Sequence, residues 1–114
     1  MAGCLKKIEA IIRPMRHEAV KAALAAEADV AGMTVSDVRG FSGPEEGAEF
    51  FGADRLAPKV KIELVVSDDR VQSVVNLILE YARTGASGDG KIFVVEMEDA
   101  LRIRTGDRGD IAVS

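Results

Sequence analysis

The chain has 114 residues, which fits one domain and excludes a large multidomain enzyme. Hydrophobic residues make up 47% and charged residues 30% of the sequence, as in a globular domain. The net charge of −4 argues against broad contact with phosphates, so we expect no nucleic-acid partner. The sequence contains one cysteine, no recognisable leader and no apolar run of bilayer length, so we expect a cytoplasmic protein that is not membrane-inserted.

A short internal repeat, which we call the internal echo, predicts two similar β-strands. The runs Lys7–Ile12 and Lys61–Val66 both begin Lys-Ile-Glu and continue with apolar, largely β-branched residues. Each run is followed by a break, at Pro14 and at residues 67–69, before a segment with helical character. The chain therefore reads as two half-domains of similar design.

Apolar residues at helical spacing follow both strands. The first helix is rich in alanine and begins at about Arg16. Its apolar stripe consists of Val20, Ala23, Leu24 and Ala28, and the stripe of the second helix consists of Val71, Val74, Val75, Ile78 and Ala82. Further strands are predicted at 33–41 and 91–97, which completes the order βαββαβ. This order is typical of an α+β, ferredoxin-like sandwich of four antiparallel strands under two helices. The other, apolar face of the sheet then needs burial, so we expect a homo-oligomer.

Residues 42–57, between the half-domains, form a predicted loop that is rich in glycine and acids. A long loop inside a small domain usually has a function or is disordered. Phe50 and Phe51 favour a functional loop, because a solvated loop has little use for two large apolar rings. Burial of these rings in a subunit interface is an equally good explanation.

The run Thr84–Lys91 contains three glycines and a lysine, and it nearly matches a P-loop. A P-loop continues with Ser or Thr and runs from strand into helix, whereas here Ile92 follows and the predicted order is helix, loop, strand. The glycines still allow backbone N–H groups to surround an anion, and Lys91 adds a positive charge. The alternative is a tight turn that leads into a strand.

Two arginines provide a second candidate phosphate contact. In an extended segment 101–104, alternation would put Arg102 and Arg104 on one side and both aliphatic residues on the other. Paired guanidinium groups bind phosphate well, although a solvated strand face would look the same. Together with the glycine loop, the arginines favour nucleotide binding. No catalytic constellation is visible, so the sequence predicts a sensor and not an enzyme.

Several blocks of the sequence resemble the PII signal-transduction proteins, and they occur in the order found in that family. The blocks are residues 6–14 (KKIEAIIRP), 32–35 (GMTV), 58–63 (PKVKIE), 84–94 (TGASGDGKIFV) and 102–106 (RIRTG). The resemblance covers nearly the whole chain. It implies a ferredoxin-like homotrimer whose intersubunit clefts bind ATP or ADP, and whose T-loop docks onto transporters, enzymes or regulators. It implies no catalytic turnover as the main role.

Carried over by position, the resemblance implies a single domain of residues 1–114 with a T-loop at about 42–57, a B-loop at 84–91 and a C-terminal segment at 101–114. Arg102 and Arg104 match arginines that reach phosphate from the neighbouring subunit, and Lys59 matches a lysine that contacts 2-oxoglutarate. No catalytic or metal-binding residue is predicted. The implied nucleotide-binding residues are Ile11, Thr34, Gly40, Phe41, Ser42, Lys59, Glu63, Val65, Gly88, Asp89, Gly90, Lys91, Arg102 and Arg104.

The T-loop departs from the usual family pattern. It is shorter, and Gly40-Phe41 is followed by Ser42-Gly43-Pro44 instead of a Gly-Arg-Gln-like stretch. The family's glutamine helps to coordinate magnesium and 2-oxoglutarate, and proline offers neither a side-chain amide nor a backbone N–H. We therefore expect no ordinary 2-oxoglutarate sensing, and the role of magnesium is left open. Phe50 stands where the family has a modified tyrosine, so uridylylation is not expected.

The resemblance is thus to PII-like branches tied to something other than nitrogen, one of which is associated with carboxysomes and bicarbonate transport. We expect a sensor of ATP, ADP or AMP together with a small anion such as bicarbonate, which signals through the T-loop to a membrane transporter. The alternatives are a nitrogen-type regulator of an ammonium transporter or of glutamine synthetase control, and a slow ATPase.

Overall fold

Two strand–helix–strand units follow one another along the chain, as the internal echo predicts. The computed structural model describes residues 5–28, 30, 32–40 and 56–114. The first unit consists of β1 (Leu5–Ile12), α1 (His17–Glu27) and β2 (Thr34–Gly40). The second consists of β3 (Ala57–Ser67), α2 (Val71–Ala82) and β4 (Gly90–Met97). Short 3-10 turns occupy Pro14–Arg16, Asp68–Arg70 and Gly109–Val113.

The strands form one antiparallel sheet in the order β2-β3-β1-β4. The two echoed runs are therefore neighbours at the centre of the sheet, where Ala10 of β1 lies opposite Ile62 of β3. This arrangement confirms the predicted α+β, ferredoxin-like fold.

The core lies between the sheet and the two helices. Because side chains alternate along a strand, the apolar residues of one parity point toward the helices, and Ile8 and Ile62 are fully buried there. Both predicted helical stripes face this core. Their buried members are Val20, Ala23, Leu24, Ala28, Val74, Ile78 and Ala82.

The face of the sheet away from the helices, which we call the open face, is not the apolar surface that the sequence pattern led us to expect. Lys7, Glu9, Lys61 and Glu63 lie on this face of the central strands, and Lys7 Nζ is 3.0 Å from Glu63 Oε2. Side chains of opposite parity to the core residues do not need to be apolar, so ion pairs can occupy the centre of this face.

Three consecutive apolar side chains are exposed on the edge strand β4. Phe93, Val94 and Val95 are each more than two-fifths exposed, at 48%, 45% and 44%. Phe93 and Val95 share the open face, whereas Val94 lies on the helix side, so both faces of this edge carry uncovered apolar surface. Among the described residues, no helix is long and apolar enough to cross a membrane.

Candidate functional site

A cavity of about 640 Å³ lies where the B-loop meets the open face of the sheet. The register places Ile11 opposite Lys61 of β3 and opposite Lys91 of β4, so three strands contribute to its floor at one level. The end of β2 contributes from the far side of β3. The lining residues are Glu9, Ile11, Val38, Arg39, Gly40, Lys59, Lys61, Ala86, Gly88, Asp89, Gly90, Lys91 and Phe93.

The B-loop has the backbone conformation that its glycines suggested. Gly85, Gly88 and Gly90 have φ angles of 90°, 93° and 105°, which residues with a Cβ rarely adopt. Gly90 is also tightly confined, because a Cβ added there would lie 1.7 Å from the Ile11 carbonyl oxygen. The loop can therefore enter β4 beside β1 only with glycine at this position.

The Asp89 carboxylate is the centre of a hydrogen-bond network inside the B-loop. It accepts hydrogen bonds from the Thr84 and Gly85 backbone N–H groups, both at 2.9 Å, and from the Thr84 hydroxyl. Arg13 Nε donates a further bond to it at 2.9 Å. The hydrogen bonds from Thr84 and then Arg13 hold the pKa of the Asp89 carboxyl well below its usual range, because they stabilise the ionised form. Asp89 is in the cavity lining, but these contacts use its carboxylate to shape the loop.

Lys59 connects β3 to the same loop. Lys59 is only 7% exposed, and its ammonium donates a 2.6 Å hydrogen bond to the Gly88 carbonyl oxygen. A buried ammonium requires such a partner, since desolvation without one would be costly. Lys59 thus lines the cavity on its β3 side and restrains the B-loop at Gly88.

Positive charge predominates in the cavity lining. Arg39, Lys59, Lys61 and Lys91 outnumber the acids Glu9 and Asp89, and Lys91 is exposed at the rim. Arg39 and Lys61 were absent from the predicted site. Lys61 could have been found by the period of two, which places it on the same strand face as Lys59. The arrangement is suited to an anionic ligand that has an apolar part.

Three other predicted residues lie on the open face but outside the cavity lining. Thr34 is opposite Glu63 in the β2–β3 register, and Glu63 is paired with Lys7. Val65 is opposite Lys7, farther from the B-loop. Two other predicted residues, Phe41 and Ser42, lie outside the described residues, as does the T-loop from residue 42 to 55.

The prediction that Arg102 and Arg104 share one side of an extended segment is wrong. The backbone turns here, with the Arg102 N–H bonded to the Asp107 carbonyl at 2.8 Å and the Gly106 N–H bonded to the Arg102 carbonyl at 2.7 Å. The Arg102 guanidinium donates to the backbone carbonyl of Ile111 at 2.9 Å, whereas Arg104 is exposed. Neither arginine lines the cavity of its own chain.

No group of three or more His, Cys, Asp or Glu side chains suited to a metal ion occurs in the part of the chain that the structure describes. The polar groups that line the cavity include the backbone of the glycine-rich B-loop, lysine ammonium groups and the Arg39 guanidinium. Backbone N–H groups and positive charge in such a combination are chemically suited to an anion.

Comparison with known proteins gives the class of protein to which this site belongs. The family model described as "Nitrogen regulatory protein P-II" matches residues 5–107. The chain belongs to this family of regulatory proteins, as the sequence blocks had indicated.

Two relatives and one solved structure define the extent of the similarity. The nitrogen regulatory protein P-II homolog of Arabidopsis thaliana is 50% identical over 111 residues, which is 93% of this chain and 56% of that protein. The chain therefore spans about half the length of this plant relative. Nitrogen regulatory protein P-II 1 of Escherichia coli K12 is 46% identical over 113 residues, covering 96% of this chain and all of that protein. A crystal structure of Arabidopsis thaliana PII bound to citrate superimposes with a TM-score of 0.80 at 46% identity, covering 96% of this chain and 90% of that chain.

Proposed function

We propose that this PII-family protein is a sensor that binds ATP, ADP or AMP in the cavity between the B-loop and the open face. The observation that carries the proposal is the meeting of a glycine loop of positive φ angles with a cluster of cations in one cavity. The backbone around Gly88 and Gly90 would hold phosphate, with Lys91 at the rim. The apolar side chains of Ile11 and Val38 would pack against the base.

The nucleotide site would be completed in a homotrimer. Arg102 and Arg104 lie outside the cavity of their own chain, so their use as phosphate ligands requires a neighbouring subunit. The exposed apolar edge of β4 supports association, because uncovered apolar edge strands are characteristic of surfaces that become paired or covered. A subunit boundary beside β4 would also border the cavity, since Phe93 belongs to both.

A second, carboxylate-type anion would bind at the floor of the cavity, beside Lys59 and Lys61. Such an anion could compete with the Gly88 carbonyl for the Lys59 ammonium, and would then change the B-loop and nucleotide affinity together. Bicarbonate is the anion we propose first, because Pro44 cannot supply the amide that the family uses for 2-oxoglutarate. The citrate in the Arabidopsis thaliana structure is a carboxylate ligand of that protein.

The output would be a change in the T-loop that controls docking onto a membrane transporter for bicarbonate, with no catalytic turnover and a cytoplasmic location. The second candidate is a nitrogen-type regulator acting on an ammonium transporter or on glutamine synthetase control. It is favoured by the similarity of this chain to nitrogen regulatory proteins, two of which are 46% and 50% identical to it. Slow ATP hydrolysis is the third candidate.

Calorimetry with ATP, ADP and AMP tests the nucleotide proposal. Arg104→Ala should weaken binding about tenfold or more, since a charge-assisted hydrogen bond contributes roughly 1.5–3 kcal/mol. Lys21→Ala is the matched control, because it removes one positive charge from α1, outside the cavity lining. Failure of all three nucleotides to bind the parent protein would refute the proposal, and equal affinity of Arg104→Ala and parent would remove Arg104 from the site.

A linkage experiment separates the two candidate functions. ATP is titrated with and without bicarbonate, and with and without 2-oxoglutarate plus magnesium, at constant pH and ionic strength. We expect bicarbonate to change the ATP affinity and 2-oxoglutarate to have little effect. Strong synergy between 2-oxoglutarate and MgATP, without an effect of bicarbonate, would instead establish the nitrogen-type candidate.

A further inference from the structure

Arg13 makes two contacts with the B-loop although it is distant from that loop in sequence. Its Nε donates to Asp89 Oδ1 at 2.9 Å, and its Nη2 donates to the Ser87 carbonyl oxygen. The side chains of Arg13 and Asp89 are 25% and 24% exposed, so water screens their ion pair only in part. The planar guanidinium suits this double contact because its donors form a rigid fork.

The backbone of Arg13 is held in position by its neighbours. Pro14 follows it, and a residue before proline is restricted to extended conformations. Arg13 accordingly has φ −66° and ψ 139°, and its carbonyl accepts a 3.0 Å hydrogen bond from the Arg16 N–H. The guanidinium therefore extends from a fixed point just beyond the end of β1.

Arg13 does not line the cavity, whereas its partner Asp89 does. An unpaired carboxylate at that position would repel the phosphates of a nucleotide. With Arg13 in place, the negative charge is balanced, and the carboxylate is turned to the Thr84 and Gly85 N–H groups. The ion pair thus both fixes the conformation of the loop and balances the negative charge of Asp89.

We propose that Arg13 is the positioning residue of the B-loop, and that it makes the cavity competent for phosphate by holding Asp89 and the Ser87 carbonyl. This inference rests on the proposed nucleotide function. Arg13 acts through Asp89 and the loop backbone and does not contact the ligand. Lys59, which holds the Gly88 carbonyl from β3, supports the same loop from the other side.

The test compares Arg13→Ala, Arg13→Lys and Asp89→Asn with the parent by ATP calorimetry, with Lys21→Ala as the control for loss of one positive charge. If Arg13 positions the loop, Arg13→Ala and Asp89→Asn each weaken ATP binding about tenfold or more. The double variant should then bind no more weakly than the weaker single variant, because both substitutions break one network. Arg13→Lys should bind with intermediate affinity, since a single ammonium can keep the ion pair without the fork.

If Arg13 acted only through its charge, the effect of Asp89→Asn on ATP affinity would have the opposite sign. Removing the Asp89 charge would then tighten ATP binding, while Arg13→Ala would still weaken it, and the two effects would add. That pattern would overturn the proposal. Unchanged ATP binding by Arg13→Ala would overturn it as well.

A ligand-free measurement separates this inference from the proposed function and from general unfolding. The backbone amide resonances of Gly88 and Gly90 should shift in Arg13→Ala and return toward the parent positions in Arg13→Lys, while the resonances of α1 stay unchanged. If the parent binds no nucleotide, the proposed function fails, and these resonances still report whether Arg13 shapes the loop. Unmoved glycine resonances in Arg13→Ala would refute the positioning role.

Discussion

Gly90 has no room for a Cβ, so Gly90→Ala has a clear expected consequence. A Cβ at this residue would lie 1.7 Å from the Ile11 oxygen, 2.8 Å from the Ile11 carbonyl carbon and 3.3 Å from Ile12 Cα. All three are backbone atoms of β1, and they cannot rotate away as a side chain can. Residue 90 is also paired with Ile12 in the β1–β4 register.

Two costs combine in this variant. The φ angle of 105° lies outside the regions favoured by alanine, which contributes about 1–3 kcal/mol of strain. Normal contact distance requires the two backbones to separate by roughly 1 Å or more, and overpacking of this kind costs about 1–3 kcal/mol. We therefore expect Gly90→Ala to lower the free energy of unfolding by about 2–6 kcal/mol, a large share of the roughly 5–15 kcal/mol typical of a domain.

Urea unfolding of Gly90→Ala and Gly85→Ala measures the two costs separately. Gly85 also has a positive φ angle, at 90°, but a Cβ there would meet no atom within 4 Å. Gly85→Ala should therefore show only the strain, and Gly90→Ala should unfold at a lower urea concentration than either Gly85→Ala or the parent. Calorimetry should show weaker ATP binding by folded Gly90→Ala, because the B-loop enters β4 at this residue. Equal urea midpoints for the two alanine variants would refute the argument from close approach to β1.

Three further predictions concern the cavity, the pH dependence of stability and the oligomer. In calorimetry, Lys59→Met should weaken ATP binding about tenfold, because it removes the charged hydrogen bond to the Gly88 carbonyl. Lys61→Met removes a cation that has no bond to the loop and should have a smaller effect. An equal effect of the two substitutions would contradict the specific role of Lys59. Because the native pKa of Asp89 is lowered, its contribution to stability is present above its unfolded pKa of about 3.9 and is lost as the pH falls toward the native pKa. Asp89→Asn should therefore flatten the decline of the urea midpoint below about pH 4 relative to the parent, and parallel declines would argue against the carboxylate network. Val94→Lys should shift the mass measured by light scattering from trimer to smaller species by charging the exposed β4 edge, and an unchanged trimer would exclude this edge from the interface.

Local pattern was sufficient for most of the fold. The echoed strands, the two helical stripes and the B-loop could all be predicted because each depends on neighbours within a few residues: alternation for strands, a period of 3.6 for helices and φ freedom for glycine. The helices begin and the strands end within a few residues of the predicted bounds. The blocks that resemble the PII family added the expected role of Lys59.

Where local pattern was insufficient, the missing information was tertiary. The alternation at residues 101–104 is real in the sequence, but backbone hydrogen bonds between Arg102 and residues 106 and 107 close the segment into a turn. The open face was expected to be apolar although its charged residues alternate with the core residues in the sequence, and only the β1–β3 pairing shows that Lys7 and Glu63 meet diagonally across it. Periodicity assigns a side chain to a face and leaves its partner undetermined.

The sequence by itself determined the order of the elements, the buried parity of each strand and the presence of a glycine-rich loop before the last strand, since these follow from the chemistry of adjacent residues. Only the tertiary structure decided what holds that loop in shape. Arg13 and Asp89 are 76 residues apart, and Lys59 and Gly88 are 29 apart, so no local rule relates them. They meet because antiparallel pairing brings the end of β1 beside the start of β4 and places β3 next to β1, and contacts of such long separation arise from the sheet as a whole.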